Sequence, residues 1–142
     1  MPSASTNDPL GPHLSAEFAI EPSWEEPEPL HDLLESLRDS RPDADVRKIR
    51  YAYYVAEQAH AGQVRQTGEP FILHPLAVAQ ILADLGMDDE AISAALLHDV
   101  FEDCEGIGME DLTRAFGATI SNLVDGVTKL EFKGREGVGA RA

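Results

Sequence analysis

The chain has 142 residues, with 26 Asp and Glu against 11 Lys and Arg, for a formal net charge of −15. That acidity argues against direct binding to a nucleic-acid backbone, which runs on Lys and Arg, and against peripheral binding to anionic membranes. The length fits one domain and 43% apolar content is enough for a core. No stretch approaches the ~18 apolar residues of a membrane span, and no signal-peptide pattern opens the chain. The single cysteine, Cys104, excludes an intrachain disulfide and points to a reducing cytoplasm.

Residues 1–29 read as an acidic, Pro-rich disordered tail, with Trp24 as its one large anchor. A short helix is predicted from Leu30 to Leu37, limited by Pro42. Asp43 or Asp45 then starts a longer helix with the stripe Val46, Ile49, Tyr53, Ala56 and His60, ended by Gly62. Residues 63–73 form a loop. His74-Pro75 opens the next helix, with Pro75 at the first helical position. Its stripe is Val78, Ile81, Leu82 and Leu85, and Gly86 stops it. Asp88 is the predicted N-cap of the following helix, with Asp89 and Glu90 in its first turn, where the helix dipole favours them. That helix runs through Ile92, Ala95 and Leu96 into His98 and Asp99. Gly106 and Gly108 break the chain, Met109 to Phe116 forms a short helix, and a last helix presents Ile120, Leu123, Val124, Val127 and Leu130 on one face. No alternating strand pattern and no internal repeat is present. The chain reads as an all-α domain of five or six helices over residues 30–131, followed by a Gly-rich tail, 132–142.

The chemistry concentrates in HDVFED, His98 to Asp103. Helical spacing places Asp99, Glu102 and Asp103 on one face, in line with the core stripe Ile92, Ala95, Leu96. A carboxylate therefore stands where the next buried apolar residue belongs. No Lys or Arg lies between Arg65 and Arg114 to neutralise it. An unpaired ionised carboxylate is expensive to bury, and a divalent cation resolves that cost. A solvated helix end is the alternative; it explains Glu105 well and Asp99 badly. His74 adds to the metal reading. It starts a helix on the same face as Val78, Ile81 and Leu82 and so points inward, and an antiparallel turn at Gly86 brings it to the end of the next helix, beside His98 and Asp99. A His–His–Asp set suits Mn, Fe or Zn better than Mg.

The loop Arg65 to Pro70 precedes His74. Arg65 can hold a phosphate, stack on a base, or simply pair with Glu69; the residues alone leave these open. His60, on an apolar stripe, reads as a hydrogen-bonded core histidine and Cys104 as a bystander. His13 and His31 lie in the tail or at its edge. No Gly-rich phosphate loop, CxxC or GxSxG is present.

The run AEQAHAGQVRQTGEPFILHPLAVAQILADLGMDDEAISAALLHDVFEDC, with LTRAFGATISNLVDGVTKL after it, resembles the N-terminal HD hydrolase domain of the RelA/SpoT homologues, the enzymes that make and degrade (p)ppGpp. The likeness covers about Tyr51 to Leu130, with HP, HD-x-x-ED and DGVTKL in the family's order and spacing. It implies an HD-domain-type helical bundle in a bacterial, cytoplasmic Mn(II)-dependent hydrolase, with Fe or Zn as alternatives, that removes pyrophosphate from the ribose 3′ position of (p)ppGpp to give GDP or GTP. By resemblance, His74, His98 and Asp99 match metal ligands, Glu102 and Asp103 the acidic pair that organises the attacking water, and Arg65, with Thr67 nearby, the nucleotide site.

Three departures stand out. Gln66 replaces a basic residue common in relatives, and Phe101 is bulkier than the usual small aliphatic. The family's further aspartate ligand lies on a later helix, which implies a domain incomplete at its C-terminus, either a fragment or a naturally short protein. Three functions compete: part of a (p)ppGpp hydrolase domain; a catalytically inactive module that binds nucleotide or a partner, or self-associates through exposed apolar surface; and an HD phosphohydrolase of another nucleotide, which RQTGEP and DGVTKL oppose.

Overall fold

Leu30, Leu33, Leu34 and Leu37 recur at helical spacing and form the buried face of the first helix, α1 (Glu28–Ser40). This computed structural model describes residues 18–64, 66–103 and 107–127, the side chains of 101–103 excepted. The expectations for residues 1–17, Arg65, Cys104, Glu105, Gly106, Leu130 and the tail 132–142 lie outside the described residues, as do those for the side chains of Phe101, Glu102 and Asp103.

Five further helices follow. Asp45 caps α2 (Val46–Ala59), accepting a hydrogen bond from the Lys48 amide. The next helix, α3 (Leu73–Asp84), starts one residue before His74, so Pro75 is its third residue rather than its first. That position still lacks an intrahelical partner for an N–H, which is why proline fits. Gly86, with φ of +81°, ends the turn after α3, and the Met87 amide closes it on the Leu82 carbonyl. Asp88 then caps α4 (Asp89–Asp103), its carboxylate 2.9 Å from the Ala91 amide. Gly108 precedes α5 (Met109–Phe116), where Asp111 folds back to accept from the Gly108 amide. A last helical stretch, α6, covers 118–127. Among the described residues there is no strand beyond an isolated bridge between Val64 and Pro70, and the chain is all-α, as its sequence predicts.

Long-range bonds set the helix directions. Lys48, at the start of α2, reaches Asp89 and Glu90 at the start of α4, so these two packed helices run parallel. Arg41 after α1 donates to the Gly86 carbonyl after α3, and Gln80 of α3 donates to Ser36 of α1, which makes that pair parallel too. The tight turn at Gly86 makes α3 and α4 antiparallel neighbours, with the start of α3 beside the end of α4. Ile49, Ala52, Val55 and Ala56 of α2 and Ile92, Leu96, Leu97 and Val100 of the packed α4 are all buried in one core.

Two features differ from the expected pattern. The stretch 18–27, read as tail, lies against the core. Trp24 Nε1 donates to Glu57 Oε1 at 2.7 Å, and its ring packs edge-on against Tyr54 and near Tyr53. Arg50 lies over the Trp24 ring while its Nε bonds Glu26, and Phe18 packs on Tyr51 and Phe116. The stripe assigned to α3 is also not its buried face. Pro75, Leu76, Ala79 and Ala83 are buried, whereas Ile81 and Leu85 are 59% and 71% exposed. The helix is apolar nearly all round, so periodicity does not select a face.

Candidate metal centre

His74, His98 and Asp99 converge where the antiparallel α3 and α4 meet. One ligand atom from each of the three lies within 4.8 Å of the others. His74 reaches this point from an exposed position and not from an inward face; it shares its side of α3 with the half-buried Val78 and Leu82. The inward expectation fails for the reason given above for α3, yet the convergence it was meant to explain is present.

His98 is 3% exposed. Its Nδ1 lies 2.7 Å from the Ala95 carbonyl, one turn back on α4. A carbonyl only accepts, so Nδ1 carries the proton and Nε2 of the neutral ring presents a lone pair. That Nε2 stands 3.3 Å from Asp99 Oδ1. A cation shared by the two atoms, either a second ring proton or a metal ion, would suit this spacing. The His74 ring, with its centroid 6.5 Å from that of His98, brings a further nitrogen to the same point. Around one ion with bonds of ~2.0–2.2 Å, ligand atoms sit ~3.0–4.3 Å apart. The 3.3 Å pair falls inside that range, and closing the widest spacing takes only a small side-chain movement. Two imidazole nitrogens and one carboxylate oxygen are a fitting donor set for a divalent transition metal.

Beside this trio lies a cavity of about 310 Å³ between α3, α4 and α6. Val78 and Leu82, Ala94 and Ala95, and Leu123 line it, with both histidines at its wall. Sequence reasoning missed this apolar wall and also the Ala95 carbonyl that fixes the His98 tautomer. The signal for the carbonyl was available, because a buried helical histidine can reach back to the carbonyl three residues before it. The wall is a tertiary product of three helices.

The other candidate residues fall at different distances from the trio's chemistry. Thr67 is exposed in the loop and its hydroxyl lies 3.5 Å from Glu69. Glu102 and Asp103 belong to the last turn of α4, which continues from Asp99. His31 is exposed between Glu26 and Glu35. His60 is buried and bonded to Gln63, as expected of a core histidine. Among the described residues no helix is long and apolar enough to cross a membrane.

Comparison with known proteins agrees with this geometry. Residues 52–136, more than half of the chain, match the family model described as HD domain. The chain is 48% identical over 103 residues to a guanosine-3′,5′-bis(diphosphate) 3′-pyrophosphohydrolase of Vibrio cholerae, covering 70% of this chain and 14% of that protein. It is 51% identical over 105 residues to a GTP pyrophosphokinase of Streptomyces coelicolor, covering 72% and 12%. It is 48% identical over 90 residues to the bifunctional (p)ppGpp synthase/hydrolase SpoT of Escherichia coli, covering 63% and 13%. The chain thus spans about one seventh or less of the length of these relatives. Helical architecture, the His–His–Asp convergence and these matches together show that the chain belongs to the HD-domain family, with an HD domain of the RelA/SpoT type.

Proposed function

We propose that this chain is part of a metal-dependent guanosine 3′,5′-bis(diphosphate) 3′-pyrophosphohydrolase domain. It would act in the cytoplasm on (p)ppGpp to release pyrophosphate and leave GDP or GTP, the chemistry of the stringent response. The observation that carries this reading is the facing pair His98 Nε2 and Asp99 Oδ1 at 3.3 Å, with His74 completing the set. The 3′-pyrophosphohydrolase name of the Vibrio relative supports the substrate.

In this reading His74, His98 and Asp99 hold Mn(II), with Fe or Zn as alternatives. The ion, when bound, supplies Lewis acidity and charge neutralisation at the phosphoryl group. Glu102 and Asp103 orient water and take up its proton as it attacks phosphorus. The bond between the ribose 3′ oxygen and the pyrophosphate breaks, and the proton returns to that oxygen. Arg65 contacts the nucleotide's phosphates or base, with Thr67 beside it. The net charge of −15 makes a cation at the trio important for attracting a polyanion, and it opposes direct DNA binding.

The exposed Ile81, Leu85, Met87 and Leu123 favour a second reading. In that reading the chain is a module without turnover that binds nucleotide or a partner, or self-associates. Incubation with Mn(II) and ppGpp, with GDP and pyrophosphate quantified, separates the two. Release of both products, abolished by His98→Ala, supports the hydrolase. Binding of ppGpp without any product supports the module and overturns the hydrolase reading for this chain.

A further inference from the structure

His60 closes α2 and is 3% exposed, yet its Nε2 has no hydrogen-bond partner among the described residues. A buried polar nitrogen left unpaired costs stability, so the ring's other contacts are informative. Its face stacks on Phe71, with ring centroids 4.3 Å apart and planes inclined by 21°. Its Nδ1 lies 3.2 Å from Gln63 Oε1, and its carbonyl accepts from the Gln63 amide at 2.9 Å. The Phe71 amide in turn donates to the Gln63 carbonyl, and Val64 bridges Pro70. One imidazole thus grips both ends of the loop that carries Arg65 and Thr67. From Phe71 the path to the trio is short, because the His74 amide donates to the Phe71 carbonyl at 3.2 Å.

We infer that His60 is a positioning residue: by clamping Gln63 and Phe71 it holds these two residues together and sets where His74 stands in the first turn of α3, opposite His98. A phenylalanine at this position could stack but not bond Gln63, and a leucine could do neither. The imidazole makes both inner contacts although its outer nitrogen is unsatisfied. This inference rests on the metal reading of His74, His98 and Asp99. It differs from it in placing a determinant of metal affinity on a residue outside the proposed ligand set.

The test compares His60→Leu and His60→Phe with the unaltered chain by amide hydrogen exchange without metal and by Mn(II) titration followed by electron paramagnetic resonance. In His60→Leu, exchange at Phe71 and His74 should quicken about tenfold while α4 core amides keep their protection. The Mn(II) dissociation constant should rise about tenfold, the lower end of what outer-shell changes do to metal sites. His60→Phe, which keeps the stack, should recover most of both. Phe71→Leu breaks the same stack from its half-buried side and should reproduce the His60→Leu result if the latter fails to fold. Local exchange and Mn(II) affinity both unchanged would overturn the inference, as would a uniform rise in exchange with affinity intact, which marks plain loss of stability. An unaltered chain that binds no Mn(II) overturns the metal reading instead, and the exchange at Phe71 and His74 still decides whether His60 clamps the loop.

Discussion

His98 Nε2 faces Asp99 Oδ1 at 3.3 Å while the opposite ring nitrogen is committed to the Ala95 carbonyl. Adjacent residues on a helix normally diverge by about 100°. This pair is brought together because the buried imidazole is fixed by its own helix and Asp99 stands half-buried at the edge of the core. The arrangement brings both atoms, with His74, to one place where α3 and α4 meet.

Metal should therefore stabilise the fold measurably. Binding to the native state alone adds RT ln(1 + [L]/Kd), about 2.7 kcal/mol at a hundredfold excess over Kd. Mn(II) is expected to raise the thermal midpoint by several degrees, and a chelator should reverse it. His98→Ala should abolish the response, because it removes the most buried of the three proposed ligands. Scanning calorimetry with and without Mn(II) checks this, and a midpoint of the unaltered chain that Mn(II) leaves unmoved would count against the site.

The Trp24 strap gives a second expectation. Trp24 joins Glu57 by a 2.7 Å hydrogen bond and packs on Tyr53 and Tyr54, while Arg50 covers its face. A fully buried Trp→Ala change costs ~3–5 kcal/mol, and Trp24 is half-buried, so Trp24→Ala should cost about 2–3 kcal/mol. Urea unfolding measures it. A loss below about 0.5 kcal/mol, the range of ordinary surface substitutions, would return residues 18–27 to the status of a tail.

What was legible in the chain divides by the range of the interaction. Asp88 and Gly86 act on their own turns and appear at their expected helix boundaries, and of the two expected starts for α2, Asp43 and Asp45, the cap is Asp45. The convergence of His74 with His98 and Asp99 was also readable, because a tight turn between helices of similar length forces their far ends together. The buried face of α3 was not readable, since a helix apolar on all sides has no preferred stripe. Nor was the Trp24–Glu57 bond, 33 residues apart. Glu57 looks like any solvated helix carboxylate until the strap crosses it.

Lys48 shows the same limit, and yields a third prediction. The acidic run Asp84 to Asp111 contains no Lys or Arg, yet Asp89 and Glu90 find a lysine on α2, 3.6 and 3.9 Å away. The three side chains are only 18–34% exposed, so the cluster is better shielded than an open surface pair. Lys48→Ala should lower stability by about 1 kcal/mol, near the top of the usual range for such pairs. The α4 dipole continues to support the two carboxylates and limits the loss. Denaturant curves at low and high salt are the measurement: the gap between the two proteins should narrow as salt screens the pair.

Tyr53 makes stability fall at alkaline pH. Burial first, and the negative charge of Glu57 second, push its phenol up to about 12. An unfolded tyrosine ionises near ~10. Above that point the unfolded chain releases a proton that the folded chain still holds. Stability contributed by this group is thus complete below about pH 10 and declines as pH rises from there toward 12. Burial raises Tyr54 as well and adds to the same slope. Tyr53→Phe should leave neutral-pH stability nearly unchanged and flatten part of the alkaline decline. Glu57→Gln should lower the Tyr53 titration only modestly, because burial is the larger cause, while weakening the Trp24 bond. Ultraviolet titration of tyrosinate, run beside urea midpoints across the alkaline range, reads both effects. An equally steep decline in Tyr53→Phe would show that this phenol is not its source.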